Sequence, residues 1–195
     1  MRLLTILLFL VTASFKLTAQ NDFALRLSDS AVALTKEKVK YNPKYFVIAY
    51  PNGDVPKGFG VCTDVVIRAY RKLGIDLQKE VHEDMASDFS KYPKIWQRKT
   101  TDKNIDHRRV PNLMTFFKRK GIVKRLSSNP KDYLPGDIVC WNLTGGITHI
   151  GIVVNKRSQD SKRYLIVHNI GAGQVMEDCL FKYKIIGHYS YKKIY

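Results

Sequence analysis

Cysteine is scarce in this sequence and odd in number, with Cys62, Cys140 and Cys179 the full set. Three thiols cannot form the even framework of a disulfide-stapled scaffold, so at least one is free or paired between chains. There is no C-x-x-C, no H-E-x-x-H and no close Cys/His cluster, which leaves a structural or protease-type zinc site without a motif. Repeats, heptads and low-complexity tracts are absent too, which excludes a solenoid, a coiled coil or a disordered tail. Acidic side chains are few: 17 Asp and Glu stand against 33 Lys and Arg, giving a net charge of +16. No nucleic-acid motif organises the basic residues, so the charge implies attraction to polyanions in general rather than a specific nucleic acid.

The apolar run from Leu3 to Ala13, preceded by Arg2, is shorter than the roughly 20 residues that span a bilayer. It reads as the core of a secretory signal peptide over residues 1–19, with Leu17-Thr18-Ala19 before Gln20 as the cleavage point. An uncleaved anchor or a buried helix is the alternative. Cleavage would remove Arg2 and Lys16 and no acid, lowering +16 to +14. The expected location is periplasmic or secreted, with no transmembrane segment after cleavage. Residues 20–195 are long enough for a single domain with one core.

Phe23 to Val39 carries helical apolar spacing, whereas Tyr45 to Tyr50 is a short aromatic and β-branched run, a strand or an extended arm. A helix of about three turns follows Cys62, a second covers Leu77 to Phe89, and a third runs from Asn112 to Lys120 with Pro111 in its first turn. The second half changes character: the runs at 137–141, 149–154, 164–168 and 185–191 are β-branched and aromatic, separated by turn residues. Helices first and neighbouring strands afterwards predict an α+β fold with an antiparallel sheet.

Cys62 occupies the first turn of its predicted helix, where unpaired N–H groups and the helix dipole favour a thiolate. His149 begins an apolar strand and His168 ends the next, so antiparallel pairing makes the two imidazoles neighbours. A nucleophile, a base and a group that orients the base is the arrangement of covalent amide hydrolysis. The same three residues could instead hold a metal. Asp64 is read as a helix-start carboxylate or a contact for a substrate amine. Tyr50 is read as a packing aromatic or a substrate contact, and His107 and Arg108 as a solvated loop or a carboxylate-binding pair. Cys140 and Cys179 read as buried inert thiols, a bridge between them being the alternative.

The order Cys62, Pro135-Gly136-Asp137-Ile138-Val139, Thr148-His149-Ile150-Gly151-Ile152, Leu165-Ile166-Val167-His168 resembles the NlpC-type papain-like cell-wall hydrolases. More of the chain is similar to a branch of that clan labelled a domain of unknown function. That likeness rests on Gly53-Asp54-Val55-Pro56, on the run from Cys62 to Arg71, and on the run from Asp106 to Leu113. The resemblance implies a papain-like fold and a cysteine peptidase or amidase acting on peptidoglycan stem peptide, with Cys62 as nucleophile, His149 as base and His168 as orienter. It implies no cofactor and no metal. One departure stands out: Val61-Cys62-Thr63-Asp64 replaces the clan's usual Asp-Cys-Ser-Gly, putting the acid on the other side of the cysteine. A non-catalytic, basic cell-wall-binding protein is the competing reading.

Overall fold

The structure, a computed structural model, describes residues 22–193; the signal segment expected at 1–19 lies outside the described residues. Helix α1 (22–34) buries Leu27, Ala31 and Leu34, one stripe at helical spacing. It stops short of the expected Val39 because its last turn is tied off elsewhere. The Gln174 side-chain amide donates to the Leu34 carbonyl at 2.9 Å, and the Thr35 hydroxyl donates to Val32. The chain then enters a two-residue strand, β1 (Lys40–Tyr41), which pairs in parallel with β2 (Phe59–Gly60). Between them, Tyr45 to Tyr50 is an extended arm without regular structure. Asn104 accepts from the Ile48 N–H, and the Gln78 amide donates to the Ala49 carbonyl, so side chains hold the arm in place of a ladder.

Three further helices follow: α2 (Cys62–Arg71), α3 (Leu77–Ser87) and α4 (Val110–Lys120). Asp76 caps α3 by accepting from the N–H groups of Gln78 and Lys79, and Pro111 sits in the first turn of α4 where no N–H partner is lost. The strands β3 (Ile122–Val123), β4 (Ile138–Asn142), β5 (Thr148–Arg157), β6 (Tyr164–His168), β7 (Val175–Glu177) and β8 (Lys184–Ser190) form one sheet in the order β3-β8-β4-β5-β6-β7. Every neighbouring pair in it is antiparallel. The fold is therefore α+β, with the helices mostly in the first half. No helix among the described residues is long and apolar enough to cross a membrane.

Strand alternation divides the interior between the two faces of the sheet. Ile138, Cys140, Ile150, Ile152, Val154 and Val167 pack with Val65, Val66, Ala69 and Tyr70 of α2, with Leu113, Phe116 and Phe117 of α4, and with α1. Val139, Trp141, Val153 and Ile166 point the other way, under Tyr133, Cys179 and Leu180. Each aliphatic side chain buried this fully contributes about 1.5–3 kcal/mol. Gly136 shows how closely α1 is docked: its φ is +86°, and a Cβ there would lie 2.6 Å from the Ala24 carbonyl oxygen.

Candidate active site

Cys62 opens α2, and the sequence around it folds to fix that opening. Asp64, in the first turn, accepts from the Val61 N–H at 2.7 Å, satisfying a group that the helix itself leaves unpaired. Both of its oxygens also bind Arg108, at 2.9 and 3.0 Å, and both side chains are buried. Arg108 goes on to donate to the carbonyls of Lys44 and Asn42. Neither residue is therefore free to meet substrate as expected: the Asp64 carboxylate and the Arg108 guanidinium consume each other. His107 is buried and does not line the cleft that holds Cys62, and its pKa is pushed down to about 3 by burial and then by Arg108 and Arg71, so it carries no positive charge to pair with a carboxylate.

The two strand histidines meet as their register requires. His149 Nε2 and His168 Nδ1 are 2.8 Å apart, both rings are buried, and Trp141, the cross-strand partner of His149, lies against the His149 ring. His168 Nε2 faces Glu177 Oε2 at 3.2 Å and Cys179 Sγ at 3.5 Å. Among the described residues no hydrogen bond engages His149 Nδ1, which leaves that nitrogen available for chemistry. Burial and then His168 push the His149 pKa down to about 3, and burial pushes that of His168 down against the pull of Glu177.

Cys62 belongs to the helix-side core, with the backbone N–H of Ile150, the residue after His149, acting on its sulfur. No hydrogen bond joins Sγ to the His149 ring. The expected thiolate is also not the resting form: burial pushes the thiol up to about 12, more than the N–H groups of Ile150 and Thr63 pull it down. Local position at a helix start favours the anion, but the desolvation that tertiary packing adds is larger. With its pKa pushed up to about 12, Cys62 rests as a thiol, and His149, pushed down to about 3, as a neutral imidazole.

A cleft of about 210 Å3 opens over Cys62, walled by Tyr41, Pro43, Trp96, Arg108, Pro111 and Thr148. The larger hollow, about 840 Å3, lies elsewhere between α1 and α2, and its Arg68 and Arg71 are paired with Asp54. It holds no nucleophile, so the smaller cleft is the candidate site. Tyr50 is outside it, packed edge-on against His82 with ring centroids 5.1 Å apart. Its expected place is taken by Tyr41, whose phenol is pushed up by burial and by the nearby Cys62 and Asp64. Arg109 stacks on Trp96 at 4.1 Å and pairs with Asp106. Tyr41, Trp96 and Glu177 carry no sequence signal, because two of them lie on irregular segments or two-residue strands and the third on a strand of three residues. Cys140 and Cys179 are both free and buried, so the bridge is absent. Cys140 lies in the core, and Cys179 touches His168.

No solved structure matches the chain. An uncharacterized protein of Escherichia coli strain K12, YijF, is 49% identical over 172 residues, covering 88% of this chain and 83% of that protein. The family model described as "Domain of unknown function (DUF1287)" matches residues 28–191. With the match taking in α2, the cleft and every strand of the six-stranded sheet, the chain belongs to the DUF1287 family.

Proposed function

We propose that this protein is an exported, papain-like cysteine hydrolase that cleaves an amide bond in the stem peptide of bacterial peptidoglycan. The observation that carries the reading is the His149–His168 pair, bonded Nε2 to Nδ1 at 2.8 Å, with Cys62 one residue away at the Ile150 N–H and beneath an open cleft. His168 holds the His149 ring so that Nδ1 is the atom left to accept a proton. Catalytic hydrogen bonds in unliganded enzymes are commonly long or misaligned and tighten when substrate binds.

In the reaction the Cys62 sulfur attacks the amide carbonyl carbon as its proton passes to His149. The N–H groups of Cys62 and Thr63 at the start of α2, already near the sulfur, face the oxyanion that develops. His149 then gives the proton to the leaving amine, freeing it and leaving a thioester. Water attacks the thioester, loses a proton to the same imidazole, and releases the acid while the thiol is restored. With a thiol at rest, proton transfer accompanies attack rather than preceding it. A cleft of about 210 Å3 suits an extended peptide better than a folded substrate.

Digestion of purified peptidoglycan by the wild type and by Cys62→Ala, with the released fragments read by mass spectrometry, tests this. The wild type is expected to release peptide fragments, and Cys62→Ala to lose about a thousandfold or more of that rate while keeping its unfolding midpoint. The masses separate an endopeptidase from an amidase that cuts at the lactyl group. Equal activity of the two proteins would overturn the proposal. A non-catalytic basic wall binder predicts no fragments from either and retention on the wall that weakens steeply with salt.

A further inference from the structure

The cluster on the far side of His168 has a different chemistry from the amide-cleaving site. We propose that His168, Glu177 and Cys179 form a binding site for one zinc-class divalent metal ion, and that occupying it silences His149. The second half rests on the hydrolase reading; the first does not.

The geometry comes first. His168 Nε2 is 3.2 Å from Glu177 Oε2 and 3.5 Å from Cys179 Sγ, and the three candidate ligand atoms all lie within 4.8 Å of one another. Tetrahedral zinc, with bonds of about 2.0–2.1 Å to nitrogen and about 2.3 Å to sulfur, sets N and S about 3.5 Å apart and N and carboxylate O about 3.3 Å apart. Both pairs that include His168 are thus already spaced for a shared ion, and the Glu177–Cys179 pair lies within 4.8 Å. The β6–β7 register, which pairs His168 with Val175 and Ile166 with Glu177, holds two of the three on one rigid ladder. His168 and Cys179 are 1% and 4% exposed, while the Glu177 side chain is 40% exposed, so the remaining coordination position opens to solvent on that side. One sulfur, one imidazole nitrogen and one carboxylate oxygen suit zinc and exclude the all-oxygen preference of calcium or magnesium. The thiol releases its proton to solvent on binding, and thiolate plus carboxylate balance the divalent charge.

The consequence for His149 follows from proton placement. Without metal, His168 gives its Nε2–H to Glu177, its Nδ1 accepts from His149 Nε2–H, and His149 Nδ1 carries a lone pair. A metal takes the His168 Nε2 lone pair, so the His168 proton must sit on Nδ1 and be donated to His149 Nε2. The His149 proton is then on Nδ1, the atom that should receive the proton of Cys62. Both rings stay neutral, yet the base has become a donor.

The test uses the full mature chain stripped with chelator and titrated with zinc chloride against a chromophoric competitor, and with cobalt(II) as a spectroscopic stand-in. One equivalent is expected to bind wild type and Cys62→Ala alike, with a thiolate-to-cobalt absorption band. Glu177→Gln, altered at an exposed carboxylate, is expected to bind about tenfold or more weakly, and Cys179→Ser to lose the band. The nitrogen chemical shifts of the His149 ring are expected to exchange from the Nε2–H to the Nδ1–H pattern when zinc is added. No saturable binding, or equal binding by Cys62→Ala, Glu177→Gln and Cys179→Ser, would sink the metal site; binding without the tautomer exchange would sink the silencing. Failure of the hydrolase reading is a different result: no fragments from metal-free wild type, with zinc binding intact.

Discussion

Replacing Arg108 with methionine removes the cation from a pair in which both side chains are nearly inaccessible, 2% for Arg108 and 3% for Asp64. The Asp64 carboxylate would keep the Val61 N–H and lose both bonds to the guanidinium, at 2.9 and 3.0 Å. Breaking a buried pair from one side costs about 3–5 kcal/mol, because the surviving charge has no solvent to return to. For a chain of this length that is a fall in Tm of about 6–20 °C. The double variant Arg108→Met with Asp64→Asn removes the orphan charge while the amide oxygen can still accept from Val61, and should recover about 1.5 kcal/mol or more of the loss. Urea and thermal unfolding of the two variants and the wild type measure both quantities. Hydrogen exchange adds a local readout: the Lys44 and Asn42 carbonyls lose their donor, so amides of residues 40–48 should exchange faster. An Arg108→Met protein within about 1 kcal/mol of wild type, or a double variant less stable than the single, would refute the argument.

At Gly151 an added Cβ would come within 2.7 Å of Ile166 Cγ2, 3.0 Å of the Val167 carbonyl oxygen and 3.1 Å of His168 Cβ, so Gly151→Ala should cost about 1–3 kcal/mol and displace β6 from β5. Loss of the His149–His168 contact in its NMR spectra, with peptidoglycan turnover falling further than stability, is the expected pattern. Alkylation of Cys62 by a small neutral reagent, mapped by peptide mass spectrometry, should quicken about tenfold per pH unit to beyond about pH 10, since burial holds the thiol near 12. A plateau of reactivity beginning near neutral pH would mean a preformed thiolate and contradict it. Although burial alone would raise it, Arg119, Tyr92 and Lys120 together hold Asp84 down to about 2, below its ordinary 3.8. A carboxyl with a depressed folded pKa stabilises above its unfolded pKa, and the contribution of about 1–2 kcal/mol should vanish as pH falls from about 4 to 2. Asp84→Asn should flatten that part of the stability curve.

What could be read from the sequence was what depends on neighbours along the chain. Helical spacing located α2, α3 and α4, and the run of β-branched segments located β4, β5, β6 and β8, since periodicity records which face is buried. The meeting of His149 and His168 was legible for the same reason: in an antiparallel pair the start of one strand lies beside the end of the next. Illegible were the features set by distant packing. Asp64 and Arg108 are 44 residues apart, and nothing local announces that each cancels the other. A cysteine in a first helical turn looks activated until residues 41–43, 96 and 105–111 close over it. Tyr50 is a candidate by its place before the loop to Cys62, yet its ring packs against His82 of α3, a contact 32 residues away along the chain that nothing local announces. Glu177 and Cys179 could not be placed near His168 because a strand of three residues leaves no periodic trace.

The segments 53–56, 62–71 and 106–113 interlock. Asp54 binds Arg68 through Nε at 2.9 Å and Nη2 at 3.0 Å, and Arg71 at 2.9 Å, so the Gly53–Pro56 segment is fastened to α2. Gly53 is required there because a Cβ would fall 1.9 Å from the Ala49 carbonyl oxygen. Asp64 and Arg108 fasten α2 to the segment before α4, and the Thr63 hydroxyl adds a bond to the Arg108 carbonyl at 3.1 Å. The charges of these segments are thus largely spent on holding the start of α2 rather than on gripping a ligand. At the cleft itself both arginines are already paired, Arg108 with Asp64 and Arg109 with Asp106. A strongly basic protein therefore presents a nearly neutralised cleft. On the proposed function, its excess charge would draw an anionic wall polymer from a distance, and discrimination at Cys62 would come from shape and from hydrogen bonds to the peptide. Raising salt should accordingly weaken capture of intact peptidoglycan while leaving turnover of a short neutral stem peptide unchanged, and equal salt sensitivity of the two substrates would place net charge back inside the cleft.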